Sequence, residues 1–86
     1  MADLNNKYLS QLIITLQNKR TTEEIEEFLE SILTIKELIE ISTRLEIVKQ
    51  LKLGIPQQKI AKDLGVGVAT ITRGAHELKL GHFRDV

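Results

Sequence analysis

Two glycines and the chain's single proline decide what its last third can become. Gly54 stops the helix before it, and Pro56 suits the first turn of the helix after it. Gly65 then ends that helix near Leu64, and a further helix from about Val68 to Leu80 follows at once. The gap between them holds only a tight turn. Two short helices meeting at a steep angle through a glycine turn make a helix-turn-helix. Such a joint needs a small residue where the helices cross and a turn residue that tolerates positive φ. Ala61 and Gly65 meet these needs, and Ile60, Leu64, Val66 and Ile71 are spaced to fill the wedge. The same apolar positions also fit an αα-corner that binds nothing.

The rest of the chain reads as helix too. Leu4, Tyr8, Leu9, Leu12, Ile13 and Leu16 recur at helical spacing and predict a helix from about Asp3 to Lys19. Thr21 with Glu24 makes a capping box, which opens a second helix striped by Ile25, Phe28, Leu29, Ile32 and Leu33. Thr34 with Glu37 makes another, which opens a long helix from Ile35 to Leu53. Its stripe is Leu38, Ile41, Leu45 and Val48, widened by Ile39, Ile47 and Leu51. No strand pattern is present. The expected fold class is all-α, with about five helices in a single domain of 86 residues. A domain this small buries only about 60% of its unfolded surface. An aliphatic core completed by a second copy of the chain would relieve that shortage.

Composition narrows the chemistry. There is no cysteine, so disulfides and thiolate metal sites are excluded. His76 and His82 are too few for a zinc site. No nucleophile–base pair or phosphate loop stands out, so no enzyme is expected. The start MADLNNK has no signal-peptide pattern, and no apolar run is long enough to span a bilayer, so a cytoplasmic chain is expected. Net charge is zero but unevenly spread. Up to Thr43 there are four cations against eight anions; from Arg44 onward there are eight against four. The halves therefore carry −4 and +4, which gives one end a potential that attracts phosphates. Two ordinary solvated faces would give the same count.

The polar residues of the last helix point to DNA. Thr70, Thr72 and Arg73, with small Ala69 among them, stand around one isoleucine. A helix N-terminus in a major groove needs short side chains there, and threonine can bond base edges or phosphates. Gln57, Lys59 and Lys62 fall on the preceding helix, where backbone contacts are usual.

With these residues in view, the sequence resembles the Trp repressor family. LGVGVATITRG, from Leu64 to Gly74, is similar to that family's reading head; STRLEIVKQLKLG, from Ser42 to Gly54, is similar to its long helix. The resemblance covers about Leu33 to Leu80, whereas Met1 to Ile32 matches only in helix pattern. It implies an intertwined homodimer, with 1–53 as dimerisation core and 54–80 as reading head, bound to a palindromic double-stranded operator. It implies no cofactor, but L-tryptophan as corepressor. Thr34, Arg44, Arg73 and Gly74 fall on the family's ligand positions. Arg73 and, more weakly, Thr34 suit a carboxylate. The carbonyls near Leu33, in the family supplied by the other copy, suit an ammonium. Arg44 and Arg73 suit the two faces of an indole, and Gly74 leaves room for it. Matching DNA positions are Gln57, Val68, Ala69, Thr70, Thr72 and Lys79.

Each of these residues also has a plainer reading. Thr34 is a capping threonine, Arg44 a surface arginine, Arg73 a phosphate contact and Gly74 a packing glycine. Several departures from the family bear on the expectation: the turn at Gly54-Ile55-Pro56 is one residue shorter, Ala61 stands where members have a lysine, the N-terminal arm is short, and two more concern the ligand and the end of the sequence. Glu77 stands near the ligand position, where its charge opposes a carboxylate or pairs with Arg73. The sequence stops at Val86, where the family continues into a final helix. Two alternatives stay open: a DNA-binding relative with another ligand or none, and a helical module that dimerises through the Leu38–Val48 stripe and never touches DNA.

Overall fold

The computed structural model describes residues 6–86. It is all-α: α1 Asn6–Gln17, α2 Thr22–Ile32, α3 Ile35–Lys52, α4 Gln57–Leu64 and α5 Val68–Lys79, with no strand among the described residues. Residues 1–5, and with them Leu4 of the expected first stripe, lie outside the described residues. The chain divides into two compact units, residues 1–35 and 36–86.

In the first unit α1 and α2 are joined by a short turn. Thr21 caps α2 as its sequence predicts: its Oγ1 accepts from the Glu24 N–H at 3.1 Å. The Glu24 carboxylate reaches back to the Arg20 N–H at 3.2 Å, so the box closes one residue earlier than the usual reciprocal bond. Glu23 and Glu24 in the first turn favour the positive end of the helix dipole. Lys19 stands 5.2 Å over the Phe28 ring, a cation–π contact between the turn and α2. Leu33 ends α2 in an extended conformation while its N–H still bonds the Leu29 carbonyl at 3.0 Å. Neither helix buries a residue.

The second unit holds the core. Ile47, Ile60, Ala61 and Ile71 form it, with Leu51, Ile55, Leu64 and Val66 packed against them. Ile60 and Ile71 are wholly inaccessible. The wedge predicted between the last two helices is therefore present residue for residue. The α3 stripe is different. Ile47 and Val48 are buried, but Ile39, Ile41 and Leu45 are exposed. Only the C-terminal half of α3 has helices of its own unit to pack against.

The glycine punctuation explains how three helices reach one core. Gly54 has φ +82°, and the Ile55 N–H returns to the Gln50 carbonyl at 3.2 Å. Gly65 has φ +68°, and the Val66 N–H returns to the Ala61 carbonyl at 3.0 Å. Both ends are Schellman closures, and each delivers an apolar residue, Ile55 or Val66, straight into the core. Helix limits differ slightly from the sequence expectation. Pro56 sits just before α4 rather than inside its first turn, because its ψ of 142° is extended. The helices α3 and α5 each stop one residue earlier than expected.

Candidate nucleic-acid interface

The helices α4 and α5 pack on each other more closely than any other pair. Ile71 fixes the rotation of α5 by pointing wholly inward. With Ile71 inside, Val68, Ala69, Thr70, Thr72 and Arg73 are left exposed on α5. Val68 is 48% exposed, a large apolar side chain at the front of the helix. Gly67 precedes it as N-cap and offers no side chain to the first N–H groups of α5. A Cβ at Gly67 would meet nothing within 4 Å. Neither φ nor crowding inside the chain requires a glycine there, and glycine is among the residues favoured at an N-cap.

On α4, Lys59 and Lys62 are exposed and Gln57 is half-buried. They are not equivalent. Lys59 Nζ is 2.8 Å from Asp63 Oδ2, one turn further on, so its charge is partly engaged at the surface. Lys62 forms no ion pair among the described residues. Gln57 is tied to α5: the Thr72 hydroxyl lies 3.0 Å from Gln57 Oε1 and 3.1 Å from the Val68 carbonyl. Lys79 is exposed in the last turn of α5.

The residues expected around a ligand divide between the units. Arg44, Arg73 and Gly74 belong to the second unit, Leu33 and Thr34 to the first. Arg44 and Arg73 are exposed. Gly74 lies against α3: a Cβ there would come within 3.2 Å of Ile47 Cγ2 and 3.5 Å of Leu51 Cδ1. Its first structural role is close approach of α5 to α3. Glu77 does not pair with Arg73; its carboxylate binds the His82 ring. After α5 the tail turns back, and Lys52 at the end of α3 donates to the carbonyls of Phe83 and Val86, each at 2.6 Å.

Sequence reasoning did not foresee the Gln57–Thr72 bond or the Lys52 clamp, because both join residues far apart in the chain. The Lys59–Asp63 pair was legible in its spacing of four. A shallow depression in the first unit, lined by Lys19, Glu24, Glu27, Phe28 and Ser31, contains none of the expected site residues. No helix among the described residues is long and apolar enough to cross a membrane, and no group of metal-ligating side chains is found among them.

Comparison with known proteins places this arrangement. The chain is 35% identical over 76 residues to a Trp operon repressor homolog of Vibrio vulnificus (strain YJ016), covering 87% of this chain and 74% of that one. It is 36% identical over 75 residues to a Trp operon repressor homolog of Haemophilus influenzae (strain PittEE), covering 86% and 70%. It is 32% identical over 79 residues to a Bacillus subtilis (strain 168) protein called Uncharacterized protein YerC, covering 92% and 76%. No solved structure matches at a significant level. The class is that of all-helical transcription regulators, not of enzymes. More narrowly, the chain belongs to the Trp repressor protein family, whose model matches residues 7–84.

Proposed function

We propose that the chain is a homodimeric, sequence-specific DNA-binding repressor that acts in the cytoplasm on palindromic operators, with L-tryptophan as corepressor. The observation that carries the DNA reading is the α4–α5 pair. A wholly buried Ile71 turns Val68, Ala69, Thr70 and Thr72 outward beside an uncapped helix start. Short polar and apolar side chains are what a major-groove approach requires. Gln57, Lys59, Lys62 and Lys79 supply the flanking backbone contacts.

The dimer is supported by what the first unit and the front of α3 leave uncovered. Ile13, Ile14, Leu16, Ile25, Ile32 and Ile39 are all between 41% and 61% exposed. A monomer in water gains nothing from that much aliphatic surface. In the dimer each ligand would lie among Thr34, Arg44, Arg73 and Gly74, with the carbonyls near Leu33 supplied by the other copy. The ligand favours one aim of the reading heads, at the ~34 Å spacing common to helix-turn-helix dimers, Trp repressor included. A coupling of about 1–3 kcal/mol per site makes a useful switch.

A second reading, a regulator of the same family with another ligand or none, is favoured by Gly74. Its open side faces Ile47 and Leu51 rather than an unfilled space. Titration calorimetry with L-tryptophan, followed by operator selection from random duplexes with and without it, separates the two. Binding heat together with tightened operator affinity supports the corepressor. Salt-dependent operator binding that ignores tryptophan leaves the second reading standing. Absence of any preferred sequence refutes both.

A further inference from the structure

Thr72 stands among the residues that face outward, yet its hydroxyl is already engaged inside the protein. It lies 3.0 Å from Gln57 Oε1 and 3.1 Å from the Val68 carbonyl. A hydroxyl has one hydrogen to give and both neighbours are acceptors, so the two contacts share it as one bifurcated donor. The Val68 bond is the ordinary return of a helical threonine to the carbonyl one turn back. The Gln57 bond is not local: it joins residues 15 apart, the first residue of α4 and the second turn of α5.

Gln57 stands where its side chain matters. It opens α4 directly after Pro56, which gives the helix no side-chain cap. The first backbone N–H groups of a helix have no partner within it, and the dipole there favours an anion. With Oε1 taken by Thr72, the amide keeps two N–H donors that make no hydrogen bond among the described residues. A free glutamine side chain would sample many rotamers and either end of its amide. Held at Oε1 by the Thr72 hydroxyl, the amide keeps one orientation, with its N–H groups turned to the other side.

We infer that Thr72 is a positioning residue: it holds the Gln57 amide so that its N–H groups, with the start of α4, meet a DNA phosphate, and it does not itself read a base. This rests on the DNA-binding reading above. The consequence is specific. A base reader, when removed, relaxes preference at one base pair. A residue that acts through a neutral phosphate contact weakens binding to every sequence alike and, releasing no counterion, leaves the salt dependence close to that of wild type.

The experiment uses the full chain, tryptophan present, and four variants: Thr72→Val, Thr72→Ser, Gln57→Ala and the Thr72→Val/Gln57→Ala double variant. Affinity is measured on the selected operator and on a random duplex over a range of salt. Thermal melting confirms that each variant folds. Thr72→Val is expected to lose about three- to tenfold on both duplexes, the worth of one hydrogen bond. Its log K against log salt slope should stay close to that of wild type, since neither Thr72 nor Gln57 carries a charge that displaces counterions. Thr72→Ser restores the affinity, and Thr72→Val adds nothing once Gln57 is alanine. Loss on the operator alone, or additive losses in the double variant, overturns the inference. The Gln57 side-chain amide resonances in the free protein distinguish the two ways of failing. If they shift on Thr72→Val while wild type binds no DNA, the link is real and the DNA reading has failed, taking this role with it. If they do not shift, the link itself is absent.

Discussion

The two units have similar proportions of aliphatic residues, used to opposite effect. In residues 36–86 a few apolar side chains are sealed: Ile47, Val48, Ile60, Ala61 and Ile71. In the described part of residues 1–35 none is, although α2 has a clean apolar stripe. Composition does not separate them. Chain reversal does. Gly54 and Gly65 turn the backbone twice within a dozen residues, so α4 and α5 fold back on the end of α3. Two helices joined by one turn bury little between them, because each offers its partner a single line of side chains. The second unit therefore carries its own core, and the first awaits a covering surface.

That contrast predicts its largest effect at Ile71. Truncation to alanine removes a wholly buried side chain from the only core among the described residues, and large-to-small changes of this kind cost about 2–5 kcal/mol. Chemical denaturation of Ile71→Ala should show that loss. Operator binding should fail with it, since Ile71 sets the rotation of α5. A cost below about 0.5 kcal/mol, the scale of surface changes, would mean that the second unit does not stand on this core.

The next effect is smaller and tests the other side. Ile13 is 47% exposed, so in a lone chain Ile13→Asn should change little. If a second copy covers α1, the substitution forfeits up to about 1.5–3 kcal/mol per copy, the burial of one such side chain. The melting midpoint should then fall and depend more steeply on protein concentration. A wild-type midpoint that is the same at every concentration would remove the dimer from the proposal and leave the exposed stripe without a cover.

The second unit was legible in the sequence in detail and the first only in outline. Ile60, Ala61, Leu64, Val66 and Ile71 were legible because turn glycines fix where each must lie within a few residues of chain. The α3 stripe misled at Ile41 and Leu45, which belong to the same apolar face as Val48 but remain exposed. Periodicity shows which face is apolar and is silent on whether one chain has enough partners to cover it. On α5 the residues expected to face DNA, Val68, Ala69, Thr70 and Thr72, are exposed, as their spacing around Ile71 predicts. The Gln57–Thr72 bond was not legible, since a glutamine and a threonine on different helices leave no mark in spacing. Of the two readings open for Glu77, opposing a carboxylate or pairing with Arg73, the pairing does not form: its carboxylate binds His82, which the turn after α5 brings to it.

The smallest expected effect lies at the edge of the reading head and concerns charge alone. Lys59 and Asp63 are both substantially exposed, and an i,i+4 pair of this kind is worth about 0.3–0.5 kcal/mol to a helix. Asp63→Asn should therefore hardly move the melting curve. Its effect on DNA should be larger than on folding, because the same carboxylate competes with phosphate for Lys59 Nζ. Released, Lys59 adds a backbone contact that is blind to sequence, so affinity should rise equally on operator and random duplexes. The slope of log K against log salt should steepen by up to about 0.9, the share of one phosphate. Lys62, with no ion pair to release, sets the reference: Lys62→Ala should flatten the slope by a similar amount in wild type and in Asp63→Asn alike. If Asp63→Asn leaves the slope unchanged while Lys62→Ala alters it, Lys59 does not reach the backbone, and the phosphate-facing side of α4 narrows to Gln57 and Lys62.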